Sequence, residues 1–183
     1  MPAYLLLLVA LLSRLLPHSD WYGFTAVGGS LLYFGARRAN RHLWEMILPV
    51  ALLAGTDYYL TTRVYGYSFV PQDYAITWGW YVAAIVLGRI LLGKRTSFPR
   101  AATAAVLGPT SFFLVSNYAA WLSLHIAPHA MYAPNFGGIM ASYAAGLPFY
   151  GRDLVSTALV LGIALGLPIL LRRMQHDRAV ATH

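Results

Sequence analysis

The stretch RLLPHSDWYGFTAVGGS, from Arg14 to Ser30, interrupts an apolar sequence and decides how the chain is organised. An apolar run from Ala3 to Leu12 precedes this stretch, and a glycine-containing apolar run follows it. A secretory signal needs an early basic residue and a small-residue cleavage site, and MPAYLLLL and its continuation provide neither. We therefore expect the first segment to be retained as a short helix. The quoted stretch then forms the turn of a helical hairpin, with Pro17 ending the first helix.

The composition is that of an integral membrane protein. Of the 183 residues, 58% are hydrophobic and only 10% are charged, whereas about a quarter of the residues in soluble domains are charged. The net charge of +7 does not predict nucleic-acid binding, because in a membrane protein the placement of basic residues matters more than their sum. The chain has no cysteine, which excludes disulfides and thiolate metal sites.

Long apolar runs predict six membrane-spanning helices. A helix needs about 20 residues to cross the hydrocarbon core of a bilayer. The predicted helices cover residues 3–16, 22–36, 43–60, 74–93, 101–126 and 154–172. The first two are short, so we expect them either to be tucked inside the bundle or to form a hairpin that does not cross fully.

A further apolar piece, GGIMASYAAGLPFY at residues 137–150, is too short to span. Its glycines and Pro148 predict a broken or re-entrant segment, which is tolerated at membrane depth only where protein or a water-filled cavity surrounds it. The fold class is thus an all-α six-helix transmembrane bundle. Residues 1–172 form one transmembrane domain, and residues 173–183 form a short basic cytoplasmic tail.

The basic residues orient this bundle. Nine of the thirteen fall on one side of the six predicted helices: Arg37, Arg38, Arg41, Lys94, Arg95, Arg100, Arg172, Arg173 and Arg178. The positive-inside rule assigns that side to the cytoplasm. Both termini are therefore expected in the cytoplasm, and the predicted location is the cytoplasmic (inner) membrane, crossed several times.

The opposite, outer side collects the aromatic and acidic residues. An aromatic belt at the headgroup level is the alternative explanation, but a belt has two sides and the inner side has little besides Trp44. We therefore predict that some outer rings and polar groups bind a ligand. The candidate ligand-binding residues are Asp20, Trp21, Tyr22, Asp57, Asn117, Trp121, His125, Tyr143 and Arg152. Three of them, Asn117, Trp121 and His125, share one helical face at i, i+4 and i+8.

Enzyme and metal signatures are weak. His125 and His129 have the spacing of two metal ligands, and His18 could complete a site, but Pro128 between the pair favours interfacial histidines over a metal site. The chain lacks the phosphate-binding G-x-x-x-x-G-K-[ST] loop and the H-E-x-x-H motif. GGS at residues 28–30 lacks the second glycine of G-x-S-x-G, so close helix packing explains it better. We predict no catalysis and no cofactor.

Three motifs resemble an uncharacterised bacterial family of putative transport proteins. RLLPHSDWYGFTAVGGSLLYFGA is similar to that family's opening R-L-L-P-H-P-x-N-F-T-P-[IV]-x-A and the glycine-containing helix after it. SNYAAWLS is similar to [ST]-N-x-x-x-W-L-S, and SYAAGLPFYGRDLVSTALVLG is similar to the motif built around Y-x-A-x-[LI]-P-F. The family in turn resembles the substrate-binding S components of energy-coupling-factor importers.

This resemblance implies a function. S components are six-helix proteins with both termini inside and a vitamin or metal site at the outer face, energised by separate ATPase and transmembrane coupling subunits. The chain is accordingly expected to capture a small vitamin-like ligand in a bacterial inner membrane. Two alternatives remain open, a non-catalytic structural subunit of a larger membrane complex and a metal-ion permease subunit. A closed outer cavity lined by Trp21, Asn117, Trp121 and Tyr143 favours transport, whereas these rings on the periphery of a solid bundle favour a structural subunit.

Overall fold

The computed structural model describes residues 2–15, 24–38, 43–124 and 131–181. In these ranges the regular structure is helical throughout. The α-helices are α1 (Pro2–Leu15), α2 (Val27–Arg38), α3 (Ile47–Tyr59), α4 (Ala75–Leu92), α5 (Phe98–Leu124) and α6 (Phe136–Ala181). Short 3₁₀ turns at Leu43–Met46 and Pro71–Tyr74 lead into α3 and α4, and a π-helical turn, Leu60–Val64, follows α3. The all-helical prediction is confirmed, and the described ranges contain six α-helices.

Helix α2 lies at the centre of the bundle. Every residue from Ala26 to Ala36 is buried, which is typical of a helix that is apolar on all sides. Its polar residue in this range, Ser30, donates its hydroxyl to the Leu6 carbonyl of α1 at 3.0 Å. The prediction that a short early helix is tucked inside the bundle is therefore confirmed for α2.

Two glycines allow α2 and α4 to touch backbone to backbone. A Cβ atom on Gly35 of α2 would lie 1.9 Å from the Ile85 carbonyl oxygen, and one on Gly88 of α4 would lie 2.0 Å from the Leu32 carbonyl oxygen. Gly28 and Gly29 similarly face Thr157 and Val160 of α6. The interpretation of the GGS segment as a close packing surface is confirmed.

Helix α6 corrects the predicted re-entrant segment. Residues 137–150 are the first third of one helix that continues through Pro148 to Ala181, so the prediction of a broken segment was wrong. A proline inside a helix removes one backbone hydrogen bond, and contacts with α5 stabilise the helix across this site. Ser142 donates to the Asn117 carbonyl at 2.8 Å, and the Tyr150 ring stacks on Phe113 at 4.7 Å. Residues 173–181, predicted as a tail, continue the same helix.

Two of the described helical segments are long and apolar enough to cross a membrane. They are Pro71–Leu92, which includes α4, and Phe136–Leu171 of α6. Helix α1 is apolar but has only 14 residues. Large apolar side chains face outward on several helices, among them Leu5, Ile90, Phe98 and Ile163, which are 61–86% exposed. The crossing of a membrane by all six helices stays a prediction.

Candidate functional site

A cavity of about 370 Å³ opens between the helices at the end of the bundle where α1 ends and α2 and α4 begin. Its volume lies in the range of about 300–1,000 Å³ that is typical of small-molecule sites. Six of its lining residues are aromatic, and two are charged. The lining residues are Arg14, Thr25, Val27, Gly28, Thr77, Trp80, Tyr81, Pro109, Phe112, Phe113, Ser116, Asn117, Gly146, Phe149, Tyr150 and Asp153.

Helical periodicity explains how α6 supplies its part of the lining. Gly146, Phe149, Tyr150 and Asp153 stand at i, i+3, i+4 and i+7, so they share one face of the helix. The continuity of α6 through Pro148 is what brings these four residues into one stripe. Helix α5 supplies a matching stripe from Pro109 to Asn117.

The wall between α5 and α6 is held by both rings and polar groups. The Tyr150 hydroxyl lies 2.9 Å from the Thr110 hydroxyl, and its ring stacks on Phe113. The Asn117 amide nitrogen donates to the Phe113 carbonyl at 2.8 Å. Gly146 makes room for this amide, because a Cβ at that position would lie 2.4 Å from the Asn117 side-chain oxygen. The amide oxygen of Asn117 thus lies at the boundary of the cavity and α6.

Trp80 forms the α4 side of the cavity. Its indole N–H points to the Gly108 carbonyl at 3.2 Å and to the Ser111 hydroxyl at 3.3 Å. The ring centre lies 4.6 Å from that of Phe112. Since the polar edge of the indole is satisfied by α5, Trp80 presents apolar ring surface to the cavity.

An ion pair closes the cavity next to α1 and α3. The Arg14 guanidinium contacts the Asp57 carboxylate and donates to the Tyr81 hydroxyl at 2.6 Å. The second Asp57 oxygen accepts the indole N–H of Trp78 at 2.9 Å. Arg14 and Asp57 are only 14% and 3% exposed, so water screens this pair weakly. The network ties α1, α3 and α4 together, and it neutralises Arg14 where this residue meets the cavity.

Asp153 is the second charged group of the lining. Its carboxylate accepts one long hydrogen bond, from the Thr157 hydroxyl at 3.4 Å. A Cβ atom on Gly28 of α2 would lie 3.4 Å from this carboxylate, and the Thr157 hydroxyl, 2.7 Å from the same position, excludes a side chain there. In the described part of the chain no cation contacts it. Asp153 lies in the part of α6 that is long and apolar enough to cross a membrane. Ionisable groups in segments of this kind are rare and usually serve a function, which makes Asp153 the most informative residue of the cavity.

The predicted ligand-binding residues separate into several groups. Asn117 lines the cavity, and Asp57 lies directly behind its Arg14 wall. Tyr143 is outside the lining and donates its hydroxyl to the Leu114 carbonyl at 2.9 Å. Trp121 donates its indole N–H to the Ala133 carbonyl at 2.9 Å, so it packs the end of α5 against the segment before α6. Arg152 is half-buried on α6 but is not part of the lining.

Four of the predicted residues, Asp20, Trp21, Tyr22 and His125, lie outside the described residues. The same holds for His18 and His129, the other candidate metal ligands. Within the ranges that the structure describes, no group of three His, Cys, Asp or Glu residues is placed to hold a metal ion.

Sequence reasoning missed most of the cavity. Tyr150 and Asp153 were separated from each other by placing the sixth helix at 154–172 and ending the preceding segment at 150. The signal that could have joined them is the spacing of Gly146, Phe149, Tyr150 and Asp153, which is regular for one helix face. Trp80 and Phe112 sit in apolar runs where no local signal distinguishes cavity lining from core.

Comparison with known proteins places the chain in a family. No curated protein and no solved structure shows significant similarity to it. A family described as "Family of unknown function (DUF6580)" matches residues 1–179. This match covers nearly the whole length, so the chain belongs to that family.

Proposed function

We propose that this protein is the substrate-binding subunit of a micronutrient importer in the bacterial cytoplasmic membrane. It captures a small vitamin-like ligand at its outer face and catalyses no reaction. The cavity lined by aromatic rings and a few polar groups is the observation that carries this proposal. Sites of this kind gain affinity from ring surface and orientation from a small number of polar side chains.

The position of the cavity supports an outward-facing site. It lies near Arg14 at the end of α1 and Thr77 at the beginning of α4. The basic clusters lie at the opposite helix ends: Arg37 and Arg38 end α2, and Lys94 and Arg95 follow α4. Under the positive-inside rule those ends are cytoplasmic, which supports an extracytoplasmic position for the cavity.

The outward apolar faces support the membrane location. Soluble monomers rarely expose contiguous apolar patches of more than a few hundred square ångströms, whereas α1, α5 and α6 carry large apolar side chains along their outer faces. Lipid is therefore the natural neighbour of these faces. ATPase and transmembrane coupling subunits, as the resemblance to S components implies, complete the importer.

A structural subunit of a larger membrane complex is the second candidate. Several rings lie outside the cavity lining: Tyr58, Tyr59 and Tyr118 are 48–52% exposed. The ring centre of Tyr118 lies 5.6 Å from that of Trp121. Such rings are suited to a protein partner or to the headgroup level of the bilayer. Trp121 and Tyr143 lie outside the cavity lining, as this candidate expects, whereas Asn117 lies in it. The existence of an aromatic cavity supports ligand capture over this candidate.

Ligand-dependent stability separates the two candidates. The purified protein, in detergent, is heated with each member of a library of vitamins, cofactor precursors and metal ions, and the unfolding temperature is recorded. Ligand capture predicts stabilisation that saturates with concentration, because a ligand that binds only the folded state raises its stability by mass action. Stabilisation by a metal ion alone supports the permease alternative. No stabilisation by any compound contradicts the proposal, and stoichiometric co-purification in an unrelated complex then supports the structural subunit.

A further inference from the structure

The charges around the cavity select a class of ligand. We propose that the cavity binds a small organic cation, whose positive group sits against the Asp153 carboxylate among the aromatic rings. This inference rests on the proposed function and specifies its substrate class. It follows from three observations: Arg14 is already paired with Asp57, the Asp153 carboxylate has no cationic partner in the described chain, and the rest of the lining is largely aromatic.

Arg14 is not available to recognise an anion. Its guanidinium contacts Asp57 and donates to the Tyr81 hydroxyl, and Asp57 is almost fully buried. An anionic ligand would have to compete with a carboxylate that is already in place and already held by the Trp78 indole. The arginine and Asp57 therefore form a locally neutral unit at one end of the cavity.

Asp153 is the group that lacks a counterpart. In the described chain its carboxylate has a single hydrogen bond, from Thr157 at 3.4 Å, which is longer than a good O–H···O bond of about 2.7–2.8 Å. Asp153 is partly buried, and shielding a carboxylate from water is costly unless it is paired. A bound cation supplies the missing partner, so the charge of Asp153 is neutralised in the complex and is not neutralised in the empty cavity.

The rest of the lining suits an organic cation better than a metal ion. Six rings line the cavity: Trp80, Tyr81, Phe112, Phe113, Phe149 and Tyr150. The faces of such rings attract alkylammonium groups. Hard metal ions, in contrast, require about six oxygen ligands, and Asp153 is the single carboxylate among the described lining residues.

The test uses a matched pair of probes on the full-length protein in detergent. Choline carries a trimethylammonium group, and 3,3-dimethylbutan-1-ol has the same shape without the charge; benzyltrimethylammonium serves as a larger cationic probe. Binding is followed by the unfolding temperature and by the fluorescence of Trp80, with Trp80→Phe identifying its signal. We expect the cations to stabilise the protein and the neutral alcohol to bind about tenfold or more weakly.

Two aspartate variants locate the effect. Asp153→Asn keeps the shape and removes the charge, so it should weaken cation binding about tenfold or more. Asp73→Asn is the control, because Asp73 is exposed in the 3₁₀ turn before α4 and should leave binding unchanged. If Asp153→Asn does not fold, the probe pair on the unaltered protein decides the question alone.

Equal binding of choline and its neutral analogue overturns the cation inference, and so does full cation affinity in Asp153→Asn. If neutral or anionic compounds from the micronutrient library bind while the cations do not, ligand capture stands and the cation inference fails. If neither the cations nor any library compound binds, both proposals fail.

Discussion

The close contact between α2 and α4 allows a quantitative prediction for a substitution at Gly88. In the Gly88→Ala variant the new Cβ atom would lie 2.0 Å from the Leu32 carbonyl oxygen, whereas ordinary contact begins at 3.4 Å. The two helices must therefore separate by about 1.4 Å, because a backbone oxygen inside a helix cannot rotate away as a side chain does.

The cost of that separation exceeds the gain in helix propensity. Overpacking a well-packed contact costs about 1–3 kcal/mol, and the upper end applies where the obstacle is backbone. Replacing a helical glycine with alanine returns about 1 kcal/mol. The net loss is about 2 kcal/mol, which lowers the unfolding temperature of a chain of this size by about 4–8 °C.

The control lies on the same helix. Gly79 of α4 has no atom within 4 Å of the position of an added Cβ, so Gly79→Ala should be neutral or raise the unfolding temperature by about 2–4 °C. Both variants are heated in the same detergent, and unfolding is followed by tryptophan fluorescence. A Gly88→Ala variant as stable as the unaltered protein, or equal shifts in both variants, would refute the packing of α2 against α4 described above.

Three further predictions concern the ion pair, the cavity and the orientation. Asp57→Asn leaves the Arg14 guanidinium buried without its counter-ion and should cost about 3 kcal/mol, measured by thermal unfolding against the exposed Asp73→Asn variant; an equal effect of the two contradicts a buried pair. Trp121→Ala should retain ligand-induced stabilisation, because Trp121 packs against Ala133 and not in the cavity, whereas Phe112→Ala should lose it; the reverse order would move the site to the end of α5. Epitope tags at both termini should be accessible only from the cytoplasmic side in membrane vesicles, and an external terminus contradicts the six-helix topology.

The helices were predictable because their signal is local. Apolar runs placed α1, α3, α4 and α5 within about four residues of their observed ends, since a run of apolar residues bounded by charges or prolines needs no tertiary information to be recognised. The prediction for residues 137–150 failed because the glycines and Pro148 of this segment are local signals for a break in a helix. The packing of α5 against Tyr143 and Tyr150 overrides these signals, and that packing depends on contacts more than 25 residues apart.

The candidate site was predictable only where a polar residue stands out from an apolar run. Asn117 and Asp57 were identified in this way, and the structure places one in the lining and the other behind it. The pairing of Arg14 with Asp57 could not be predicted, because it joins residues 43 positions apart in sequence. The aromatic lining was hidden for a related reason. The helices packed around α4 and α5 determine which of their faces borders the cavity. The local sequence of α4 or α5 does not indicate this face.

Helix packing, which cannot be read from the sequence, also determines the net charge of the cavity lining. Gly28 lets α2 approach Asp153 and Thr157 so closely that a side chain there would collide with the Thr157 hydroxyl at 2.7 Å. On its cavity side, and in the described part of the chain, the Asp153 carboxylate has the Thr157 hydroxyl as its hydrogen-bond partner and no basic side chain in contact. At the other end of the cavity, Asp57 forms an ion pair with Arg14 on the side away from the cavity. The arginine therefore contributes shape and hydrogen bonding to the lining without contributing net charge. Because Asp57 neutralises Arg14, Asp153 supplies the net charge of the described lining. The proposed preference for cations therefore depends on Asp57 as well, although Asp57 does not line the cavity.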